Sequence, residues 1–465
     1  MDVGYQAKRL VDVGRALRAA RALAERERWP RERLERHQQQ QLDALVRYAV
    51  EHSPFYRGRF AGLPATGSVE LRALPTLDKG TMMQNFDELV TDRRLRRDAL
   101  LSHLDGLEHD ALYLGEYRAM TTSGSSGSKG LFVYDRPGWT EGVAQFFRFN
   151  AIAGVRPRLP RLRIAAIGGG APTHMSRRGA ATVAIGIHRV LSLSVTMPLS
   201  RIVQKLNEFQ PAYLNAYPSI AVLLAEEQQG GRLRIAPEAV STSSELRTPE
   251  ATERLVAAFG VRPFDLYATT EGLWGCSCER HAGIHLFEDM TIVENVDDEG
   301  RPVAAGERGA RLLVTNLFNR VQPLIRFELP DVITIDPGPC PCGRTLRRVK
   351  VIEGRADDVL HLAGEGAPVA VHPLQFSVVT ADRDVREFQV VQEGERLRLR
   401  VALRDGAPAE EASRRLRERV AGRLAALGVR EPAVEVETCA GLDRPAAGKL
   451  QMVVADGVHC RGASS

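Results

Sequence analysis

The chain has 465 residues, of which 44% are hydrophobic and 26% charged, and its formal net charge is +5. This length exceeds one ordinary hydrophobic core and predicts at least two domains, and the composition is typical of a globular protein. The small net charge does not indicate a nucleic-acid partner, and no apolar run is long enough to predict a membrane span.

The N-terminal 60 residues predict a helical lead-in. Residues 5–29 and 31–52 read as two helices separated at Pro30, a residue suited to the first turn of a helix. The first helix is basic and amphipathic and lacks the uninterrupted apolar core of a signal peptide, so we expect a cytoplasmic protein. A membrane-surface role is the weaker interpretation of this helix, and a solvated face on a packing helix is the favoured one.

Apolar runs alternate with helical patterns between about residues 140 and 270. Strands are predicted at 163–167, 212–216, 239–243 and 261–267. Helices are predicted between and before them, at 138–152, 200–209, 219–228 and 249–259. Alternating strands and helices predict an α/β fold with a largely parallel, doubly wound sheet.

The remainder of the chain predicts a strand-rich part and a small C-terminal unit. Residues 284–336 read as strands and hairpins, with turns at 298–300 and 305–307. After Arg355, strands at 386–392 and 396–403 and a helix at 408–427 predict a second α/β unit. We therefore divide the chain into a large domain, 1–354, with doubly wound sheets and a strand-rich subdomain, and a small domain, 355–465.

Residues 121–130 read Thr-Thr-Ser-Gly-Ser-Ser-Gly-Ser-Lys-Gly and are suited to wrap a polyphosphate. Glycines let the backbone approach a ligand closely, and hydroxyls, backbone N–H groups and a lysine bind phosphate oxygens. The spacing is not that of a Walker A loop. Lysine occurs only six times in the chain, so one retained in such a motif indicates that its compact ammonium is needed. The predicted ATP-binding residues of this loop are Thr122, Ser123, Gly124, Ser125, Ser126, Gly127 and Lys129.

Three further motifs follow in order: Tyr-Ala-Thr-Thr-Glu-Gly from Tyr267, Gly-Arg-Ala-Asp-Asp from Gly354, and Gly-Lys ending at Lys449. Leu-Ile-Arg-Phe-Glu-Leu-Pro-Asp, ending at Asp331, lies between the first two. As an ordered set, these motifs resemble the adenylate-forming superfamily of acyl-CoA synthetases and nonribosomal adenylation domains. The segments at 52–57, 74–79 and 340–344 narrow the resemblance to the phenylacetate-CoA ligase and coenzyme F390 synthetase-like branch.

The resemblance implies a reaction in two steps. The carboxylate of an acid, aromatic by our expectation, attacks the α-phosphate of ATP, which releases pyrophosphate and leaves an acyl-adenylate; CoA then displaces AMP to give a thioester. Bringing two anions together calls for cations and oriented donors rather than a protein nucleophile. The substrates and cofactors implied are the acid, ATP, Mg²⁺ and CoA.

The resemblance also implies a role for each matched residue. Thr270 would bind the α-phosphate, Glu271 would hold Mg²⁺ as a hard carboxylate ligand, and Lys449 would approach the reacting groups. The other implied nucleotide contacts are Tyr267 on adenine, Asp331 on the ribose hydroxyls, Arg355 on the ribose or phosphate edge, and Ala268, Thr269, Ser243, Ser244 and Glu245 in loops around the nucleotide.

Taken singly, these residues have structural interpretations. Tyr267 would be a core aromatic at a strand end, Asp331 a turn residue, and Arg355 with the two aspartates after it a solvated ion-pair cluster. In the resemblance Asp357 is the hinge about which the small domain rotates between the two steps, so that Lys449 enters the site only for adenylation.

The acceptor of the acyl group is open at this point. The stretch after the hinge lacks the Asn-Val-Phe-Pro-like sequence usual in relatives that make CoA thioesters, and the segment ending at Asp331 has lost a glycine. An amine acceptor, as in an amide-forming ligase, is the alternative, and a noncatalytic nucleotide-binding protein is a third.

Cysteines at 276, 278, 340 and 342 fall in two Cys-Xaa-Cys pairs. Disulfides are rare in the cytosol, so we predict a structural zinc site with Cys278, His285, Cys340 and Cys342 as ligands. Cys276 and His281 are substitute ligands at this stage, and buried reduced thiols are the alternative.

The resemblance places the acid pocket at three segments: residues 139–147, the Gly-Gly-Gly turn at 168–170, and residues 215–219. Phe146 and Phe147 also suit helix packing. The identity of the acid and the oligomeric state stay open, with a homodimer as one option.

Overall fold

The computed structural model describes residues 3–62, 67–122, 130–169, 171–380, 382, 384–442 and 450–454. The helices are α1 (Val3–Arg26), α2 (Arg31–His52), α3 (Pro54–Arg59), α4 (Lys79–Gln84), α5 (Phe86–Leu89), α6 (Arg97–Asp105), α7 (Arg136–Ile152), α8 (Met175–Val183), α9 (Leu199–Phe209), α10 (Pro218–Gln229), α11 (Pro249–Phe259), α12 (Ser377–Thr380) and α13 (Ala409–Ala426).

The strands follow the same chain order. They are β1 (Arg118–Thr121), β2 (Leu131–Tyr134), β3 (Arg163–Gly168), β4 (Arg189–Ser194), β5 (Tyr213–Ala216), β6 (Ala239–Ser243), β7 (Phe264–Ala268), β8 (Trp274–Ser277), β9 (Ile284–Leu286), β10 (Thr291–Val296), β11 (Arg311–Asn316), β12 (Phe327–Leu329), β13 (Asp331–Asp336), β14 (Arg348–Arg355), β15 (Leu360–Leu362), β16 (Val369–Val371), β17 (Val385–Glu393), β18 (Arg396–Leu403), β19 (Ala433–Cys439) and β20 (Val453–Val454).

A nine-stranded sheet organises the first 355 residues, in the order β13-β14-β9-β8-β7-β6-β5-β3-β4. The strands from β7 to β4 are parallel, as the alternation of strands and helices predicts. The strands from β8 to β13 are antiparallel and come from the strand-rich stretch. The α/β class is confirmed, and the sheet is mixed because short reversals add the later strands to its edge.

Local sequence signals explain why α11 begins and ends where it does. The Thr248 side chain caps the first turn by accepting from the backbone N–H of Ala251, and Pro249 occupies the first helical position. Gly260 ends the helix with a φ of 70°, a conformation that glycine adopts without strain.

Strand order creates a crevice at the carboxyl end of the parallel half. The chain runs from β3 to its neighbour β4 and then returns to the other side of β3 as β5. Ligands of open α/β sheets bind at such a switch point, beyond the carboxyl ends of the strands. Gly168 and Ala216 end the two strands that border this point.

The N-terminal helix packs onto the body of the protein. Val13, Ala16 and Leu23 of α1 are buried, Arg136 of α7 forms an ion pair with Asp12 at 2.8 Å, and α1 lies against α7. The packing interpretation of this basic helix therefore agrees with the structure. No described helix is long and apolar enough to cross a membrane.

A separate hydrophobic core lies within residues 360–453. Its sheet has the order β19-β18-β17-β20, with α13 packed on it. Strands β17 and β18 and helix α13 match the predicted elements to within about two residues. The division of the chain at 354/355 stays a prediction.

Arg326, in the segment that ends at Asp331, is a structural residue. Its guanidinium makes two hydrogen bonds to Glu294, at 3.0 and 3.1 Å, and donates to the carbonyl oxygens of Leu74 and Arg72 at 2.5 and 3.1 Å. Both charged side chains are 9% exposed. The pair joins the segment before α4 to the sheet of β10, β11 and β12.

We predict that Arg326→Met lowers the free energy of unfolding by about 3–5 kcal/mol, because it leaves Glu294 buried without this partner. Urea unfolding followed by tryptophan fluorescence measures this change, since Trp29, Trp139 and Trp274 all precede residue 355. Arg301→Met, which breaks an exposed ion pair with Asp297, is the control with little expected change. Equal losses for the two variants would contradict the assignment.

Candidate active site

A cavity of about 2500 Å³ opens at the carboxyl ends of the parallel strands. Strand β17 and residues 450–454 also line it, so it lies between the nine-stranded sheet and the C-terminal sheet. The described residues predicted to contact ATP all line this cavity: Thr122, Ser243, Ser244, Glu245, Tyr267, Ala268, Thr269, Thr270, Glu271, Asp331 and Arg355.

The glycine-rich segment follows a short β-hairpin. Strands β1 and β2 pair antiparallel, and Thr122 and Gly130 close the base of their connection: the Thr122 N–H donates to the Gly130 carbonyl and the Thr122 hydroxyl accepts from the Gly130 N–H, both at 3.0 Å. The other predicted residues of the loop lie outside the described residues: Ser123, Gly124, Ser125, Ser126, Gly127 and Lys129.

A tight reversal between β7 and β8 presents Thr270 and Glu271 to the cavity. The Tyr134 hydroxyl donates to the Thr270 carbonyl at 2.8 Å, and the Asn316 amide donates to the Glu271 carbonyl at 2.9 Å. Gly272 has a φ of 102°, and a Cβ at this position would overlap the Asn316 amide. The backbone that carries the two predicted catalytic side chains is thus held from neighbouring elements.

Strand pairing brings Asp331 and Arg355 together. The two residues are direct partners at the ends of β13 and β14. Burial raises the pKa of the Glu271 carboxyl; the Arg355 charge opposes this shift and the Asp331 carboxylate adds to it. Burial and the same carboxylate hold the pKa of the Tyr267 hydroxyl well above its usual value. These four residues therefore form one electrostatic group beside the cavity.

Glu245 lines the cavity and also joins two separate backbone segments. Its carboxylate accepts from the backbone N–H groups of Ser219 at 3.0 Å and Leu450 at 2.9 Å. It lines the cavity, as do Ser243 and Ser244, the latter with a φ of 73°. Lys449, one residue before Leu450, lies outside the described residues, as does the side chain of Asp357, whose backbone belongs to the turn Ala356–Asp358.

The three segments predicted for the acid pocket also border the cavity. Trp139, Phe146 and Phe147 of α7 line it, together with Gly168 and Gly169. The Gly169 N–H donates to the Tyr217 hydroxyl at 2.9 Å, which joins the glycine turn to the segment at 215–219. Gly170 lies outside the described residues.

The structure adds cavity residues that the motifs did not indicate. Lys79 lines the cavity, and a Cβ on Gly130 would lie 3.1 Å from its side chain. The scarcity of lysine was the available signal for this residue. Arg386, Gln389 and Arg400 of the C-terminal sheet also line the cavity, and no local pattern distinguishes them from other residues of exposed strands.

Cys278, His285, Cys340 and Cys342 converge beside strands β8, β9 and β14 of the nine-stranded sheet. Their ligand atoms all lie within 4.8 Å of one another. Strands β9 and β14 are paired, with His285 opposite Arg348, and this pairing brings the turn with Cys340 and Cys342 to the histidine. The two substitutes are elsewhere: Cys276 is buried in a hydrophobic core and the His281 ring packs on Phe264.

The spacing within this cluster fits a tetrahedral metal site. Sulfur ligands on a zinc ion, each about 2.3 Å from it, lie about 3.8 Å apart. The sulfurs of Cys278 and Cys340 are 3.8 Å apart, and the Cys342 sulfur is 3.4 Å from His285 Nε2. His285 Nδ1 lies 2.9 Å from the Leu346 carbonyl, an orientation that leaves Nε2 for a metal.

Comparison with known proteins agrees with the motifs. No family model matches the chain. The chain is 28% identical to the phenylacetate-coenzyme A ligase of Thermus thermophilus over 376 residues, 76% of this chain and 77% of that relative. It is 26% identical to the phenylacetate-coenzyme A ligase of Pseudomonas putida over 366 residues, 74% of each chain.

Among solved structures, 2-hydroxyisobutyryl-CoA ligase in its postadenylation state superposes with a TM-score of 0.74 and 23% identity, over 93% of this chain and 91% of that one. The same ligase in its thioesterification state gives a TM-score of 0.59. The fold predicted from the motifs is confirmed, and the relatives support the branch that the motifs indicated.

We predict that Gly272→Ala lowers the free energy of unfolding by about 1–3 kcal/mol more than Gly260→Ala does. The difference is the usual cost of overpacking. Both glycines have positive φ, but a Cβ meets the Asn316 side chain only at Gly272, and nothing lies within 4 Å at Gly260. The urea unfolding assay with tryptophan fluorescence compares the two variants. Similar losses would show that Asn316 does not confine this turn.

Proposed function

We propose that this chain is an AMP-forming acid–CoA ligase, which converts a carboxylic acid and ATP into an acyl-adenylate and pyrophosphate and then transfers the acyl group to CoA. The observation that carries the proposal is the convergence of Tyr267, Glu271, Asp331 and Arg355 on one cavity. These residues come from three separate places in the sequence. The relatedness to phenylacetate-coenzyme A ligases supports the same reaction.

In the first step an oxygen of the acid attacks the α-phosphorus of ATP. The new carbon–oxygen–phosphorus linkage forms as the bond to pyrophosphate breaks, and charge accumulates on the phosphoryl oxygens. Arg355 and Lys449 supply positive charge, and Thr270 supplies a hydroxyl donor, so the protein stabilises that charge by fixed groups. Tyr267 offers a ring for the base and Asp331 an acceptor for the ribose hydroxyls.

Glu271 is the residue that would hold Mg²⁺. Its carboxylate lies in the cavity, where burial and the neighbouring Asp331 both penalise its charge, and a bound divalent cation offsets that penalty. When bound, Mg²⁺ neutralises phosphate charge in phosphoryl-transfer enzymes.

In the second step the thiol of CoA attacks the acyl carbon. The carbon–sulfur bond forms, AMP leaves with the oxygen that joined it to the acyl group, and the thiol proton goes to solvent. We assign CoA rather than an amine as the acceptor because two relatives that match about three quarters of the chain, at 28% and 26% identity, are named as CoA ligases. The predicted rotation about Asp357 would withdraw Lys449 before this step.

Cys278, His285, Cys340 and Cys342 are proposed to bind one Zn²⁺. Three thiolates and an imidazole form a closed tetrahedral set, which suits a structural ion and leaves no open position for catalysis. The cluster joins β9 to the turn before β14, so the metal would strengthen the part of the sheet that carries Arg355. A cytoplasmic location also stays a prediction.

Acid-dependent exchange of pyrophosphate into ATP tests the first step. We expect exchange with members of a panel of aryl, heteroaryl and short aliphatic acids, and at least about a 100-fold loss for Lys449→Ala, because one positioned cation is worth several kcal/mol at a charged transition state. Lys205→Ala is the control, since Lys205 lies on α9 and away from the cavity lining.

The same assay distinguishes the alternatives. Absence of exchange with every acid would support a noncatalytic nucleotide-binding protein. The reactive acids are then supplied with CoA or with amines, and formation of an amide without a thioester would replace CoA by an amine as the acceptor. Full exchange by Lys449→Ala would remove the lysine from the mechanism.

We predict about one zinc ion per chain by elemental analysis of protein purified without added metal. Cys340→Ser should lose the metal and lower the melting temperature, whereas Cys276→Ser should keep it, because Cys276 is buried outside the cluster. Zinc content near zero in the unsubstituted protein, or equal zinc in both variants, would contradict the assignment.

A further inference from the structure

The segment after the glycine-lysine motif returns to the mouth of the cavity. Residues 450–454 all line the cavity, and the last two form β20 beside β17. This segment, which we call the strap (residues 450–454), therefore belongs to the C-terminal sheet and faces the large domain at the same time.

The carboxylate of Glu245 joins the strap to the large domain. One carboxylate oxygen accepts from the Ser219 N–H at the start of α10, and the other accepts from the Leu450 N–H. Hydrogen bonds to a charged acceptor are about twice as strong as neutral ones. A single side chain thus ties a wall of the predicted acid pocket to the residue that follows Lys449.

The strap is also fixed from its own side of the cavity. The Gln389 amide donates to the Gln451 carbonyl at 3.0 Å, and the Val390 N–H donates to the Met452 carbonyl at 2.8 Å. The Gln451 amide donates to Asp358, in the turn that contains the predicted hinge, at 3.1 Å. The strap therefore contacts the large domain, the hinge turn and the C-terminal sheet together.

We propose that Glu245 is a positioning residue for the adenylation step, a role that rests on the proposed function. Consecutive Cα atoms are 3.8 Å apart, so holding the Leu450 N–H against α10 fixes the first residue after Lys449 at the start of the strap. Rotation of the small domain about the hinge would break the contact, because Ser219 belongs to the predicted large domain and Leu450 to the predicted small domain. Glu245 then has no part in thioester formation.

The domain arrangement is consistent with this role. Over the whole chain, the structure is nearer to the postadenylation state of 2-hydroxyisobutyryl-CoA ligase than to its thioesterification state, with TM-scores of 0.74 and 0.59. The Glu245 contacts therefore belong to an arrangement unlike the one that serves the second step in that ligase.

The test is to measure the two half-reactions of Glu245→Gln separately. Glutamine has the same shape, but its NH₂ group would face one of the two N–H donors, so one contact is lost. We expect kcat of acid-dependent pyrophosphate exchange to fall about 10- to 100-fold, as for loss of a hydrogen bond to a charged group. KM for ATP should change by less than about threefold, because the substitution leaves the binding of ATP in the ground state intact.

Transfer of the acyl group from isolated acyl-adenylate to CoA should stay within about twofold of the unsubstituted enzyme, since only the first step is affected. Gln451→Ala, which removes the contact to Asp358, should also lower kcat of pyrophosphate exchange. Glu227→Gln on α10, the helix that also carries Ser219, is the matched control. Glu227 pairs with the exposed Arg232, and its substitution should leave both steps unchanged.

Three outcomes would overturn the positioning role. Unchanged exchange in Glu245→Gln would exclude it. A higher KM for ATP with unchanged kcat would make Glu245 a nucleotide contact instead, and equal losses in both steps with a lower melting temperature would make it a structural residue. Absence of exchange in the unsubstituted enzyme would instead reject the proposed function, so the two failures are distinguishable.

Discussion

Reversal of the chain at Gly272 is the constraint on which the site depends. The parallel half of the sheet ends at β7, and the positive φ of Gly272 turns the chain back as the antiparallel β8. Strands β9, β14 and β13 then continue the sheet outward, and their pairing brings Asp331 and Arg355 to the same cavity as Glu271. The amide of Asn316 confines the turn, so a residue outside the motif holds the motif in place.

Buried charge is used in two ways in this protein. Arg148, 1% exposed, forms ion pairs with Glu27 and Asp289, both at 2.8 Å, within the protein. Such a group fixes the position of α7 against the start of the chain and the nine-stranded sheet. Glu271 and Asp331 instead face a cavity with like charges close together, an arrangement that favours a cation. The first group serves the architecture, and the second is suited to a ligand.

The elements that the sequence predicted well are those whose signals are local. Helix α11 and strand β6 have the predicted bounds. For the helix, a capping threonine, a proline and a glycine mark the two ends. Strand β4 was not predicted, and most of its residues are at least partly exposed. The sequence also did not predict that antiparallel strands extend the parallel sheet, because pairing between strands that are distant in sequence has no local sequence pattern.

The site was predictable to the extent that its residues lie in ordered motifs. Thr270, Glu271, Asp331 and Arg355 were named from such motifs and line one cavity. The choice of Cys278 and His285 over Cys276 and His281 needed the pairing of β9 with β14. The contacts of Glu245 to two backbone N–H groups, 26 and 205 residues away, depend on tertiary structure alone.

The near-absence of lysine has a practical consequence. With six lysines against a total of 63 basic residues, reagents that acylate amines meet few targets on this protein, and Lys79 lines the cavity. A bound nucleotide or acid would cover that amine while leaving Lys205 on α9 outside. Amine labelling read by mass spectrometry therefore gives a footprint of cavity occupancy that needs no turnover and no knowledge of the acid.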